Sequence, residues 1–309
     1  MHKITVLLGL LLLPGTPLFA QNIPQTLSQR ATAAYKVHQY QEAGQLYDQS
    51  VAQAPPKLSD LYNAACSWAL AGNPDKAFSY LDKTMAAGYG NLPHLVKDTD
   101  LASLHSDPRW AAVVKAAQQN ADRIEARFNQ PLKRELEQVF ADHRQVRAER
   151  DSLKSLYGAN APQTLQAEQA VKAADARQLA LVLPLLDQQG WPTKQQVGHF
   201  GSLAPFLVIQ QANIAVQAKY LPMIRQATLR GDLSPFGYLF LQDQVLVRQG
   251  KPQLFGTQMV TDPKTGKRVV APIEDEVHVD ERRAVFGQST LAEYIKLRSI
   301  TNLVPSVAQ

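Results

Sequence analysis

The sequence has one cysteine, few aromatic side chains and only a small excess of one charge, and each of these limits the possible functions. Cys66 is the single cysteine, so no intramolecular disulfide can form and we expect the fold to depend on its apolar cores. Aromatic residues make up 7% of the 309 residues, but 45% are hydrophobic, which is enough for two ordinary domains. The 32 Lys and Arg residues exceed the 27 acidic residues by only five, which argues against a nucleic-acid partner.

Apolar runs are short throughout the chain, and the one at the N-terminus has the features of a signal peptide. A lysine precedes the apolar residues 4–13, and proline and glycine then break any helix before the small residue Ala20. We predict a signal peptide at residues 1–20, cleaved before Gln21 and directing export to the periplasm of a Gram-negative cell; an uncleaved anchor is the alternative. No cysteine stands at the cleavage point, so no lipoprotein is expected. No later stretch approaches the ~20 residues of a membrane-spanning helix.

Residues 21–118 contain an internal repeat. The aligned residues are Ala31 with Ala65, Ala34 with Trp68, Ala43 with Ala77, and Tyr47 with Leu81. This offset matches the period of about 34 residues that is typical of the tetratricopeptide repeat, a helical hairpin whose small residues let its two helices approach closely. The segment from Asp98 to Val114 is predicted to cap the second repeat. Residues 24–118 resemble the terminal repeats of bacterial tetratricopeptide proteins.

Such repeats bind extended or helical peptides on a concave face, so the resemblance implies a protein or peptide partner. Residues 21–120 carry eight basic and eight acidic side chains, so charge does not identify that peptide. Tyr35, His38 and Tyr40 are candidates for the groove, and packing between repeats is the alternative interpretation. Cys66 is predicted to be a small buried residue rather than a reactive thiol.

Residues 119–309 are predicted to form a mainly helical domain with one small β-hairpin. A long amphipathic helix begins near Ile124 and places His143 on its apolar seam, where we expect a partly buried, hydrogen-bonded imidazole. Further helices are predicted at residues 162–187, at 202–228 with an interruption near Pro222, at 235–248 and from Thr290 onward. The fold class predicted for the chain is therefore mainly α, with tetratricopeptide hairpins followed by a helical domain.

The hairpin is predicted near residues 254–273. Two strand-like runs, at 254–261 and 268–273, flank a turn that contains proline and glycine. Gly256 lies inside the first predicted strand, where a glycine usually marks a bulge or the close approach of another group.

Polar residues gather around this hairpin and on the helix predicted at 202–228. On that helix Gln210, Asn213 and Gln217 are predicted to lie on one stripe. The candidate ligand-binding residues are Gln210, Asn213, Asp243, Gln253, Thr257, Gln258, Glu274 and Arg282. A structural role is the alternative: Arg282 or Arg283 would hold Glu274 or Asp275 in an ion pair, and the glutamines would satisfy backbone groups of the hairpin.

Three short motifs resemble those of a bacterial domain family of unknown function. Residues 255–258 read Phe-Gly-Thr-Gln, residues 272–275 read Pro-Ile-Glu-Asp, and a pair of arginines follows. The resemblance covers residues 125–296 and implies no particular reaction. The family pattern reads Gln-His-Ala-Asp where residues 210–213 of this chain read Gln-Gln-Ala-Asn, so Gln211 and Asn213 stand in place of the His and the Asp. A His and Asp pair can transfer a proton, whereas Gln and Asn only form hydrogen bonds.

No complete catalytic or metal-binding pattern is present. The sequence has no Gly-x-Ser-x-Gly elbow, no phosphate-binding loop and no spaced pair of histidines, so we predict no metal and no cofactor. The leading hypothesis is an exported, non-catalytic interaction protein, whose repeats present a peptide groove and whose second domain binds a polar ligand or partner. The alternative is a hydrolase-like enzyme that uses Asp243, Glu274 or Asp275 as acid or base and Arg282 to stabilise negative charge.

Overall fold

The computed structural model describes residues 26–53, 55–264 and 266–300. The predicted signal peptide lies outside the described residues. The chain divides into two compact units that meet between Ile124 and Glu125. Helices dominate both, and two short antiparallel strands form a small hairpin, so the predicted fold class, mainly α with one hairpin, is confirmed.

All of the regular secondary structure described in the first unit is helical. Its helices are α1 (Leu27–Lys36), α2 (Tyr40–Gln53), α3 (Leu58–Leu70), α4 (Pro74–Ala86), α5 (Leu92–Lys97), a 3-10 helix (Thr99–Leu104) and α6 (Trp110–Glu125). A capping box at Thr26 begins α1, and the Asn73 side chain caps α4 by accepting a hydrogen bond from the Lys76 amide. These are the N-terminal signals that local sequence supplies to a helix.

The helical hairpin α1–α2 and the hairpin α3–α4 share details at equivalent positions of the sequence repeat. The backbone N–H of Gln39 donates to the carbonyl of Ala34, and that of Asn73 donates to the carbonyl of Trp68, both at 2.9 Å. Each turn has one residue in the left-handed conformation, His38 in the first and Gly72 in the second. The two turns therefore have the same backbone hydrogen bond and the same unusual conformation.

Small residues bring the helices of the first unit together. The alanines that align in the repeat are fully buried: they are Ala31, Ala65, Ala43 and Ala77. Gly44 is packed so closely that a Cβ there would lie 2.6 Å from the Trp68 ring. Leu101 and Leu104 of the 3-10 helix are also buried in this core, and Trp110 packs against it while partly exposed. The segment after the second hairpin therefore covers the end of its core.

The second unit contains five longer helices, the hairpin and short C-terminal helices. In chain order they are α7 (Gln130–Tyr157), α8 (Pro162–Gln189), α9 (Lys194–Gln211), α10 (Ile214–Leu229), α11 (Pro235–Arg248), β1 (Met259–Thr261), β2 (Arg268–Val270), a 3-10 helix (Glu276–His278), α12 (Val279–Ala284) and α13 (Leu291–Ile300). Helix α7 packs against both α8 and α9, and α10 packs against α11. Among the described residues, we find no helix with the length and apolar character needed to span a membrane.

Two predicted boundaries in the second unit are wrong. The helix predicted at 202–228 breaks at Ala212 and not near Pro222, because the Asn213 side chain accepts from the Val216 amide and caps a new helix. Pro222 lies inside that helix. The strands are also shorter than predicted, and β1 begins only at Met259. The backbone N–H groups of Leu254, Phe255 and Thr257 donate to a side chain, that of Asp243, whereas Gln253 and Gln258 bond through their backbones to residues 271–274.

Candidate functional site

The predicted site residue Asp243, on α11, is fully buried beneath the loop of residues 253–258, which we call the GTQ loop. Its carboxylate accepts hydrogen bonds from the backbone N–H groups of Leu254, Phe255 and Thr257, at 2.8 to 3.2 Å. The Thr257 hydroxyl donates to it as well, at 2.8 Å. Burial raises the pKa of the Asp243 carboxyl, and these hydrogen bonds act in the opposite direction. Both carboxylate oxygens are therefore occupied by the protein itself.

Two of the three glutamines in the predicted site, Gln253 and Gln258, belong to the GTQ loop and bond to it and to its neighbours. The buried Gln253 amide donates to the carbonyls of Gln258 and Ala271, and its oxygen accepts from the Gln258 backbone N–H at 2.8 Å. The Gln258 side chain donates to the Phe240 carbonyl of α11. These bonds match the structural alternative for the glutamines, in which they satisfy backbone groups of the hairpin.

Arginines hold the carbonyl groups of the GTQ loop. Arg282 donates to the Leu254 carbonyl at 2.9 Å and to the carbonyls of Glu274 and Asp275. Arg283, only 1% exposed, donates to the Phe255 carbonyl at 2.8 Å. Asp243 thus binds the N–H groups of the loop, and the paired arginines bind its carbonyls.

The acidic residues of the predicted site are divided between different environments. Asp243 is completely buried, whereas Glu274 and Asp275 are exposed. The Asp275 carboxylate lies 2.9 Å from His278 and 3.7 Å from the Arg282 guanidinium. The second distance is too long for a hydrogen bond within the ion pair suggested for these two residues. The hydrogen bonds of Asp243 come from the GTQ loop, so its carboxylate does not share a hydrogen bond with either exposed acid.

Gln210, Asn213 and Gln217 do not form the predicted stripe, because the helix breaks between them. Gln210 is near the end of α9, Asn213 caps α10, and Gln217 is fully buried on α10. The Gln217 amide nitrogen donates to the Gln210 carbonyl at 2.8 Å, while its amide oxygen has no partner among the described residues. The structure therefore joins Gln217 to Gln210 across the break and assigns Asn213 to helix capping.

A separate cavity of about 880 Å³ lies between α7, α9 and the start of α11, and we call it the α7–α9 cavity. None of the predicted ligand-binding residues lines it. Its walls come from positions of α7 spaced by three and four residues, including Phe140, His143, Arg144 and Arg147. That spacing on one face of the helix is the signal available in the sequence, but periodicity alone favours a core role for His143 and does not reveal a cavity.

His143 and Asp232 are buried polar residues of this cavity, and His143 has 4% of its surface exposed. Its Nδ1 atom lies 3.1 Å from the Gln178 amide oxygen, which can only accept, and this contact assigns the ring hydrogen to Nδ1. Arg147 lies farther from the same nitrogen, at 3.3 Å, and donates to the His143 carbonyl and to Asp175. Nε2 is left as an unprotonated acceptor with no partner among the described residues. Burial, followed by the charge of Arg147, lowers the pKa of His143.

In the first unit, aromatic and acidic side chains from both hairpins and the segment after them form what we call the aromatic–acidic patch. Its members are Tyr35, Tyr62, Tyr89, Asp98 and Asp100. The Tyr35 hydroxyl donates to Asp100, the Tyr62 hydroxyl donates to Asp98 at 2.7 Å, and the rings of Tyr62 and Tyr89 stack at 4.8 Å. Tyr35 therefore contacts a distant segment of its own unit, while His38 and Tyr40 bond to each other at the turn.

Cys66 lies beside the aromatic–acidic patch, with its ligand atom and those of Asp98 and Asp100 within 4.8 Å of one another. Burial raises the pKa of the Cys66 thiol, so the sulfur is protonated and a poor metal ligand. Tyrosine hydroxyls already donate to both carboxylates. Cys66, Asp98 and Asp100 together are therefore unsuited to holding a metal ion.

The sequence of the second unit matches one known family. The model of a family of unknown function, DUF6624, matches residues 134–302, more than half of the chain. The chain belongs to this family. The matched residues begin within α7 and include the GTQ loop and all of the residues described as lining the α7–α9 cavity. No curated protein and no solved structure matches the chain.

Proposed function

We propose that this DUF6624 protein is an exported, non-catalytic interaction protein. Its first unit consists of tetratricopeptide repeats that bind a peptide segment of a partner protein, and its second unit binds a polar ligand. The observation that carries this proposal is the aromatic–acidic patch, to which both helical hairpins contribute.

The repeat assignment is supported by the hairpins themselves. Gln39 and Asn73 donate equivalent backbone hydrogen bonds in the two turns, and the buried alanines occupy equivalent positions in the two hairpins. Both features recur with the period of this repeat, about 34 residues. Stacked repeats use one face of the array, formed from successive hairpins, to bind extended partners. Tyr35 of α1 and Tyr62 of α3 come from successive first helices and contribute to one patch.

The chemistry of the patch favours a basic residue in the peptide. Asp98 and Asp100 have no lysine or arginine partner among the described residues, and the imidazole of His94 lies 3.9 Å from Asp98. Tyrosine rings beside two carboxylates suit a lysine or arginine side chain, since the rings attract cations as well. The partner peptide is therefore expected to carry at least one such residue, and its binding to weaken as salt is added.

The test is capture of envelope proteins by the mature chain, residues 21–309, with cross-linking and mass spectrometry. Tyr89→Ala removes a half-buried ring of the patch, and Gln49→Ala changes an exposed residue of α2 as a matched control. We expect one partner to be recovered by wild type and by the control, and to be lost with Tyr89→Ala. Equal recovery by both variants would contradict peptide binding at the patch, and so would failure of the folded wild type to recover any partner.

A further inference from the structure

The α7–α9 cavity contains polar groups that the protein does not use. Besides His143 Nε2, Arg144 has no ion pair and no hydrogen bond among the described residues; its guanidinium lies 5.7 Å from the Phe140 ring centroid. His199 also lines the cavity, and among the described residues it makes only a ring contact, with Phe200. A volume of about 880 Å³ is in the range of small-molecule sites, where a few placed polar groups set orientation.

The start of α11 adds hydrogen-bond donors to the same cavity. Ser234 is the N-cap of this 14-residue helix, but its hydroxyl does not make the usual capping bond, and Pro235 follows. Phe236 and Gly237 of the first turn line the cavity together with Ser234. First-turn N–H groups have no acceptor within their own helix, and the helix dipole favours negative charge there.

Each charged residue that lines the cavity has an ion-pair partner among the described residues, except one. Arg147 pairs with Asp175 at 2.7 Å, and Asp151 pairs with Arg150 at 2.6 Å. Asp232 accepts from Arg230 and from the Lys194 amide. His143 and His199 have lowered pKa values, for which burial is the first cause, and are neutral near pH 7. Among the described residues Arg144 is thus the one uncompensated cation of the cavity, which suits a monoanion.

The remaining walls are aromatic and aliphatic. They consist of Phe140, Phe200, Phe206, Phe236, Leu203, Leu207 and Leu233. The rings of Phe140 and Phe200 lie 4.7 Å apart, and Phe206 is almost completely buried. Such walls favour a flat apolar body, because aromatic rings pack in stacked or edge arrangements.

We propose that the α7–α9 cavity binds an aromatic monocarboxylate, with its carboxylate at Arg144 and the first turn of α11 and its ring among the phenylalanines. This inference rests on the proposed ligand-binding role of the second unit and is independent of peptide binding by the repeats. With the ring hydrogen assigned to Nδ1, His143 Nε2 is available to accept a hydrogen bond from a hydroxyl or amine on the ligand.

The experiment uses the mature chain and two fluorinated probes of equal shape, para-trifluoromethylbenzoate and para-trifluoromethylbenzamide, followed by fluorine NMR titration. They differ in one negative charge, so we expect the benzoate to bind ~10-fold more tightly than the amide. Arg144→Gln should remove this difference. Arg177→Gln, an exposed arginine of α8 with no ion pair among the described residues, makes the same charge change away from the cavity and should preserve it.

A second pair of variants tests the location. Ala148 is exposed on the cavity wall, so Ala148→Trp fills the space without removing a buried contact. Ala173→Trp places the same ring at an exposed position of α8 that does not line the cavity and should leave binding unchanged. Equal binding of the two probes, absence of benzoate binding, or unchanged binding to Ala148→Trp would each overturn the inference. Because the Arg144→Gln and Ala148→Trp variants locate the probe binding in this cavity, the result is separate from the capture of a peptide partner by the repeats.

Discussion

Replacing Asp243 tests whether its carboxylate organises the GTQ loop. Asp243→Asn preserves the volume of the side chain but replaces one acceptor oxygen by an NH₂ group that faces N–H donors. Asp243→Ala removes both acceptors. Asp187→Asn is the matched control, because this exposed carboxylate bonds to Lys219 and Tyr220 at the surface.

The magnitude follows from the donors that lose their acceptor. Asp243→Ala removes the acceptor of three backbone N–H groups and of the Thr257 hydroxyl hydrogen, and the amides of Phe255 and Thr257 belong to buried residues. An unsatisfied buried donor costs about 1–3 kcal/mol, so these two amides alone predict a loss of about 4 kcal/mol in the free energy of unfolding of the second unit. We expect Asp243→Asn to cost about 2 kcal/mol, and the surface control less than about 1 kcal/mol.

The assay is urea unfolding followed by hydrogen exchange and mass spectrometry, which reports on peptides of each unit separately. Peptides that contain residues 254–257 should lose protection first in Asp243→Asn, while peptides from the first unit stay unchanged. The reasoning is refuted if the transition of the second unit does not move in Asp243→Ala and these amides exchange as slowly as in wild type.

Three other changes have expected outcomes. Gly256→Ala should destabilise the second unit by about 1–3 kcal/mol more than Gly250→Ala, because both glycines have a φ of +72° but only a Cβ at Gly256 would overlap a methyl group of α13. His143 should make stability depend on pH: burial and the Arg147 charge lower its pKa, so the neutral ring is favoured on folding. Its contribution is complete above a pH of about 6.5 and is lost as the pH falls below that value, by about 1.4 kcal/mol per unit of pKa shift. Cys66, whose thiol pKa is raised by burial, should react with a thiol reagent only when the first unit unfolds.

Each of these has its own measurement and control. Urea midpoints of the two glycine variants check the first, and equal midpoints would contradict the proposed overlap. For the second, the difference in unfolding free energy between wild type and His143→Gln is compared at pH 8 and pH 5, because subtraction cancels the other histidines. A difference that does not change with pH would contradict the lowered pKa. For the third, a native reaction as fast as that of the urea-unfolded chain would contradict burial of the thiol.

Helix positions are predictable where the signal is local. The helix beginning at Pro235 has a proline at its first position, and the alignment of the repeat identifies four alanines that are buried, Ala31, Ala65, Ala43 and Ala77. The break at Ala212 is not predictable in this way, because a proline nearby is a stronger local signal than the capping side chain of Asn213. Local patterns do not show which of two possible breaks the surrounding packing will stabilise.

The sequence by itself determined the mainly helical class, the repeat in the first unit and which polar residues of the second unit are unusual, because these depend on composition, spacing and capping within a few residues. Only the tertiary structure decided what those polar residues do. Asp243, which precedes the GTQ loop in the chain, and Arg283, which follows it, both bond to that loop. Arg144 and the start of α11 both line the α7–α9 cavity. The hydrogen-bonding capacity of a side chain is visible in the sequence, but whether it is used by the protein or left for a ligand depends on which groups folding brings within bonding distance.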